Sequence, residues 1–324
     1  MRKDTLTLRA LVDGFLFSLA AEGRSPRTVE YYRTLLKPFL KYAENHGWPI
    51  QADAIQKHHV GEFLDWVSTR TLEYRAGNGS RRTTTSKPVT VFNYFKAVRR
   101  LYGWAADESE VGSSPVSGIH YKTPAPTPVL PYDRDHLMKL LAVCNQDIMA
   151  GARFIGFRGK AVLLLYLDTA GRLREVESAK MSDLDLNRRM VRVVGKGGKV
   201  DELPFSAKTA KALWFYLQER QKRAKCESLF VTEEGMPFAP EGLGRWFAYL
   251  KRRAGVTCPG RIHRLRHTGA YTFLKHTRDP FLLQTFLRHK DLTMSRRYVQ
   301  ALRREEAVEA HRNGASPVMN LDLG

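Results

Sequence analysis

Five prolines constrain what this chain can fold into more than any other feature. Pro115, Pro124, Pro126, Pro128 and Pro131 crowd into the stretch from Gly112 to Pro131. Each fixes φ and removes a backbone N–H, so neither a helix nor a sheet ladder continues across such a run, and extended backbone is favoured. The spacing predicts a semi-rigid linker over 112–131, with one unit at 1–111 and another beginning at 132. A length of 324 residues leaves room for two domains, each with its own core.

The first unit reads as helices. Leu8, Leu11, Val12, Phe15 and Leu19 fall at i, i+3, i+4, i+7 and i+11, one face of a soluble helix. Arg2 and Lys3 before that stretch give it the outline of a secretory signal, but Asp13 interrupts the apolar run. Ser25-Pro26 supplies an N-cap and a first-turn proline, Gly47 a stop, and Pro38 is expected to kink or divide the helix between them. Val60, Phe63, Leu64 and Val67 form a third stripe, and Val91, Tyr94, Phe95, Val98, Tyr102 and Ala105 a fourth. Between these lies Arg75 to Lys87, rich in Gly, Ser, Thr and Arg, read as a loop that either reaches phosphates or is simply solvated.

The second unit is mixed. Helical patterns begin near Asp133 and Arg158 and recur near 206–223, 240–254, 263–277, 279–288 and 293–312. Met190 to Val194, the turn Gly195-Lys196-Gly197-Gly198-Lys199 and Val200 to Phe205 read as a hairpin, whose glycines permit the positive φ of a tight connection. A short strand is expected at Leu229-Phe230-Val231. The fold class is therefore mainly α with a small β-sheet, the second unit being α+β.

Charge narrows the partner. The chain carries 53 Lys+Arg against 33 Asp+Glu, a net of +20, which favours a polyanion. Residues 1–111 hold +5 of this and residues 132–324 hold +14. A hydrophobic fraction of 43% separates the chain from basic disordered tails. Cys144, Cys226 and Cys258 are odd in number and in no Cys-x-x-Cys spacing, which disfavours a disulfide framework and a zinc cluster and points to the reducing cytoplasm. No apolar run approaches the about 18 residues of a membrane span.

Six positions, with Glu175 and His267 in support, make chemical sense together. Arg172 stands at a loop-to-helix transition with Glu175 three residues on, and Lys196 sits at the hairpin tip. His263, Arg266 and His267 share one helical face, while His289 precedes Tyr298 by nine residues. Guanidinium forks bind the non-bridging oxygens of a phosphodiester and neutralise transition-state charge. A phenol of ordinary pKa near 10 must lose its proton as it attacks, which an imidazole or a cationic cluster assists. A lysine ammonium can protonate the departing alkoxide. These are the parts for metal-free attack on a phosphodiester, with no carboxylate trio for Mg²⁺ and no cofactor expected.

Each residue alone has a plainer reading. An arginine in so basic a chain is a solvated charge, His289 a capped or core histidine, Tyr298 an amphipathic core residue. His263 and His267 at i, i+4 lack the glutamate base of a zinc motif, and the glycine-rich turn lacks the phosphate-loop spacing. The functional case rests on the set.

That set resembles the tyrosine recombinase family, the phage-integrase and Xer-type enzymes. Its first box, Thr-Gly-x-Arg-x-x-Glu followed by Ser-Asp, is matched by Thr169, Arg172, Glu175 and Ser182-Asp183. Lys196 matches the β-turn lysine, His263-Arg264-Leu265-Arg266-His267 the second box, and Leu287-Arg288-His289 with Tyr298 the last. Arg172 precedes Lys196 by 24 residues and Arg266 precedes His289 by 23, as in the family. Two glycines of the pattern are missing: Ala170 precedes a displaced Gly171, which leaves Arg174 as an alternative ligand, and Arg288 stands before the last histidine.

The resemblance implies a helical core-binding (SAM-like) domain at 1–111, a catalytic domain at 132–305 and a tail at 306–324 that contacts another protomer, the two domains closing as a C-shaped clamp on duplex DNA. It implies nucleophilic Tyr298, phosphate ligands Arg172, Arg266 and His289, acid Lys196, and His263 receiving the tyrosine proton or bonding the phosphate. Glu175 would buttress Arg172 or its helix, and His267 would orient the box. The expected activity is site-specific recombination by a homotetramer on two duplexes, without metal or ATP, with an accessory DNA-bending or directionality protein as a further partner. The rivals are a strand-relaxing or end-resolving enzyme with the same chemistry and a non-catalytic DNA-binding protein.

Overall fold

A computed structural model describes residues 6–75, 81–125, 131–195 and 198–315. The chain divides into two units, Met1–Pro126 and Thr127–Gly324.

In the first unit α1 (Leu8–Ala21) and α2 (Pro26–Asn45) begin at capping hydroxyls, Thr7 accepting from the Ala10 N–H and Ser25 from that of Thr28. α2 runs through Pro38 without dividing. The proline deletes one helical hydrogen bond, while Leu35, Leu36, Phe39 and Tyr42 around it are buried, and that packing carries the helix past the missing donor. α3 (Lys57–Thr69) and α4 (Pro88–Asp107) complete a four-helix core whose centre is aromatic, with Phe39 and Phe63 edge to face at 5.1 Å.

Two expectations change here. The segment read as a loop contains β2 (Arg81–Thr84), which pairs antiparallel with β1 (Leu72–Arg75) at its leading edge, in register from Leu72↔Thr84 to Arg75↔Arg81. Its β-branched threonines suit a strand, and exposure along the whole of β2 explains why no apolar alternation announced it. The proline-rich stretch is also not all linker: Val116 is buried in the first core, and Tyr121 stacks on Phe95 at 5.2 Å. Apolar residues between the prolines anchor the chain that far.

The second unit opens with α5 (Arg134–Met149), α6 (Arg153–Thr169) and the short α7 (Leu173–Glu177). A three-stranded antiparallel sheet follows: β3 (Leu184–Asp185), β4 (Met190–Val194) and β5 (Val200–Pro204), in the order β3-β4-β5. Val191, Val193 and Leu203 face the core. α8 (Ala207–Arg220), α9 (Gly242–Arg253), α10 (His263–Thr277), α11 (Pro280–Leu287) and α12 (Thr293–Ala310) complete the unit. A Cβ on Gly269 would lie 2.2 Å from the Leu167 carbonyl, so glycine is what lets α10 lie against α6.

Leu229-Phe230-Val231 is buried but forms no strand; only isolated bridges, Lys180↔Ser228 and Val231↔Pro237, flank it. Side chains take the place of a ladder. Tyr216 donates to the Leu229 carbonyl and accepts from the Val231 N–H, Arg220 donates to the Ser228 and Leu229 carbonyls, and Arg158 donates to that of Val231. The expected division at residue 305 falls inside α12, which continues to Ala310 and is held to α10 of the same chain by Glu305, paired with Tyr271 and Lys275.

Candidate active site

Two helix C-termini and one helix N-terminus converge in the second unit. α6 ends at Ala170 and α11 at Arg288, both in the left-handed region with φ of 46° and 56°. These are the two positions where the family pattern carries glycine, and the backbone shows why: glycine adopts this conformation freely, whereas other residues do so at a cost of about 1 kcal/mol. Helix ends leave carbonyls without partners and concentrate partial negative charge. Arg266, on α10 and 3% exposed, answers both by donating to the carbonyls of Ala170 and Leu287, the latter at 3.1 Å.

The same guanidinium lies 3.4 Å from His289 Nε2. Arginine only donates, so Nε2 accepts and Nδ1 carries the hydrogen, which it gives to Ser295 Oγ at 3.0 Å. Arg172 caps α7, and Glu175 holds it twice: the carboxylate accepts from the Arg172 N–H at 2.8 Å and from its guanidinium at 2.6 Å. Arg172 faces Glu175 with 41% of its side chain exposed, whereas Arg174 is exposed on α7 and makes no such contact. A second guanidinium, Arg288, donates to Glu175 at 2.7 Å.

Tyr298 on α12 has no exposed surface. Its hydroxyl lies 2.7 Å from His267 Nδ1, and His267 meets His263 edge to face at 4.8 Å. The geometry thus places His267, and not His263, against the phenol; one helical turn separates the two rings, and the later one points at α12. His263 is exposed at the start of α10. Lys196 lies outside the described residues.

Electrostatics follow from burial among cations. Burial pushes the Tyr298 phenol up, against which Arg297 and Arg266 pull it down. Desolvation, then the neighbouring His263 and arginines 297 and 266, lowers His267 to about 3. Desolvation, then Arg266 and Arg172, lowers His289 to about 4. Both rings are neutral near pH 7. Burial would raise the Glu175 carboxyl, but the Arg172 N–H, the Arg288 charge and the Arg172 guanidinium outweigh it and hold the group below its ordinary value. The result is a pocket of fixed cations with neutral imidazoles, which favours an anion with tetrahedral oxygens. Among the described residues no three or more His, Cys, Asp or Glu side chains gather where they could hold a metal ion.

Sequence reasoning missed Asp201, Ser295 and the pairing of Arg288. Arg288 was visible only as a departure from a pattern, Ser295 lay beside a recognised motif, and nothing in the sequence marked Asp201.

The phage integrase family profile matches residues 132–305. Tyrosine recombinase XerC of Oceanobacillus iheyensis is 28% identical over 315 residues, 94% of this chain and 96% of that protein. Tyrosine recombinase XerD of Listeria innocua is 23% identical over 296 residues, 89% of this chain and 93% of that one. The fold is shared with the XerH site-specific recombinase bound to palindromic difH substrate in a post-cleavage complex, at a TM-score of 0.68 and 21% identity over 89% of this chain and 81% of that chain. It is shared too with a lambda integrase tetramer bound to a Holliday junction, at 0.67 and 16% over 91% and 78%. The chain belongs to the phage integrase family and is a tyrosine site-specific recombinase.

Proposed function

We propose that the chain cleaves and rejoins duplex DNA at specific sites through Tyr298, and that the pocket around Arg266 and His289 holds the scissile phosphate. The observation that carries this is the placement of the phenol on a neutral imidazole within the field of Arg266 and Arg297. Tyr298 Oη attacks phosphorus and forms the 3′-phosphotyrosyl bond; the bond to the 5′-oxygen breaks and releases a 5′-hydroxyl. The phenol proton passes to His267 Nδ1, and Lys196 supplies the proton to the leaving oxygen. Arg172, Arg266 and His289 bind non-bridging oxygens, and Glu175 orients Arg172. One phosphoester replaces another, so bond energy is conserved without ATP. Because Tyr298 is wholly buried, attack requires the phenol to become accessible as DNA binds.

The helical unit is proposed to bind the same duplex. The β1–β2 ribbon, residues 72–84, carries three arginines and one acid, +2 of the +5 in 1–111, and is proposed to meet phosphates. The DNA complexes and the tetramer named for the structural neighbours support a homotetramer on two duplexes. An accessory DNA-bending or directionality protein is proposed as a further partner on the family resemblance alone. Three free cysteines, and no membrane-crossing helix among the described residues, agree with work in the cytoplasm.

The experiment is incubation with nicked suicide duplexes in chelator, beside Tyr298→Phe, followed by a denaturing gel. An adduct lost in the variant supports the reading. A salt-sensitive gel shift without adduct favours a DNA-binding protein, and relaxation of supercoils without paired sites favours the strand-relaxing alternative.

A further inference from the structure

Glu175 is shared between two guanidiniums, and the second belongs to a residue that occupies a glycine's conformation. Arg288 is 10% exposed in its side chain, and its reach beyond Glu175 is what distinguishes it. Its Nε lies 3.7 Å from Asp201 Oδ2 on β5, and Asp201 Oδ1 lies 3.6 Å from Lys199 Nζ. Lys199 closes the hairpin turn, its carbonyl accepting from the Gly195 N–H at 2.7 Å. A series of alternating charges therefore runs Lys199, Asp201, Arg288, Glu175, Arg172, from the residue before β5 to the guanidinium at the start of α7.

We propose that Arg288 is a positioning residue that ties the β4–β5 hairpin to Glu175 and thereby sets Arg172 and the hairpin turn in one register. Its planar cation donates a hydrogen bond to Glu175 while its Nε faces Asp201 as an ion pair at 3.7 Å without a hydrogen bond, two directions that one lysine ammonium does not supply. Arg288 also keeps Glu175 from neutralising Arg172 outright. With glycine at 288, Glu175 would be left with Arg172 alone and Asp201 with Lys199 alone, and nothing would join the two pairs. The side chain justifies the backbone cost of a non-glycine residue in the left-handed region.

The inference rests on the recombinase reading, and its test uses the full chain under single-turnover conditions on a suicide duplex. Arg288→Gly is the informative variant, because the backbone at 288 already has a conformation glycine adopts freely, and the unfolding transition of the variant is measured beside its rate. Cleavage is expected to slow about tenfold, the size of one lost coupling in a charge network, with the Kd for the duplex changed less than about threefold. Asp201→Asn should slow cleavage similarly, and the double variant no further. Millimolar guanidinium chloride should restore Arg288→Gly, where equal sodium chloride does not. Wild-type rate in Arg288→Gly, multiplying losses, or a loss confined to Kd would overturn the proposal, the last by making Arg288 a DNA ligand. If the wild-type chain forms no adduct, the recombinase reading fails, and the series is tested without DNA. Coupling between Arg288→Met and Asp201→Asn in denaturant unfolding then supports it and additivity refutes it.

Discussion

Lowering the pH should destabilise this fold well before its carboxylates titrate. His289 is 8% exposed and titrates at about 4, and His267 at about 3, whereas both return to about 6.5 when the chain unfolds. Between those values the unfolded chain binds more protons than the folded one, so stability is complete above pH 6.5 and is lost as pH falls below it. Each ring is worth about 1.4 kcal/mol per pH unit, or about 2 kcal/mol by pH 5. The two share one field of arginines, so together they cost about 2–4 kcal/mol, a large share of an ordinary domain's stability. Glu175, held below its ordinary value, loses its contribution only at lower pH. The assay is denaturant unfolding of the wild type and His289→Asn at pH 7 and pH 5. Asparagine keeps a partner for Ser295 but does not titrate, so its penalty at pH 7 should shrink by about 2 kcal/mol at pH 5. Parallel losses in the two proteins would refute the argument that a neutral buried imidazole carries this sensitivity.

Other expectations follow from the same contacts. Arg266→Lys keeps the charge but cannot span the Ala170 and Leu287 carbonyls, so single-turnover cleavage should fall about a hundredfold or more, measured at saturating enzyme. Ala170→Val places a β-branched side chain at a buried left-handed position and should cost about 3 kcal/mol in denaturant unfolding, whereas Ala170→Gly should stay within about 1 kcal/mol. Replacing Arg81 and Arg82 together by alanine should lower the slope of log affinity against log salt by about 2 in filter binding; an unchanged slope would remove the β1–β2 ribbon from the phosphates.

What was legible in the sequence depended on periodicity and on motif order. Helices with one buried stripe, such as α1 and α4, were found because the core imposes the period of 3.6 on their apolar residues. Pro38 misled because propensity gives way to packing when the surrounding face is buried. The strand expected at 229–231 failed for a different reason: apolar run length does not reveal that Tyr216, Arg220 and Arg158 will satisfy the backbone from the side. In the site, residue types and intervals indicated the chemistry, but rotational position on α10 decided which histidine meets the phenol. Asp201 was invisible because its partner lies on a remote helix end, a pairing that only tertiary contact creates.

The central claim is that Tyr298 is the nucleophile, and mass spectrometry of the trapped covalent complex tests it most directly. After nuclease and trypsin digestion, cleavage at Arg297 and Arg303 isolates the peptide Tyr298–Arg303. The account predicts a nucleotide phosphate on the tyrosine of that peptide. A modified peptide from any other part of the chain, with Tyr298–Arg303 recovered unaltered, would contradict it.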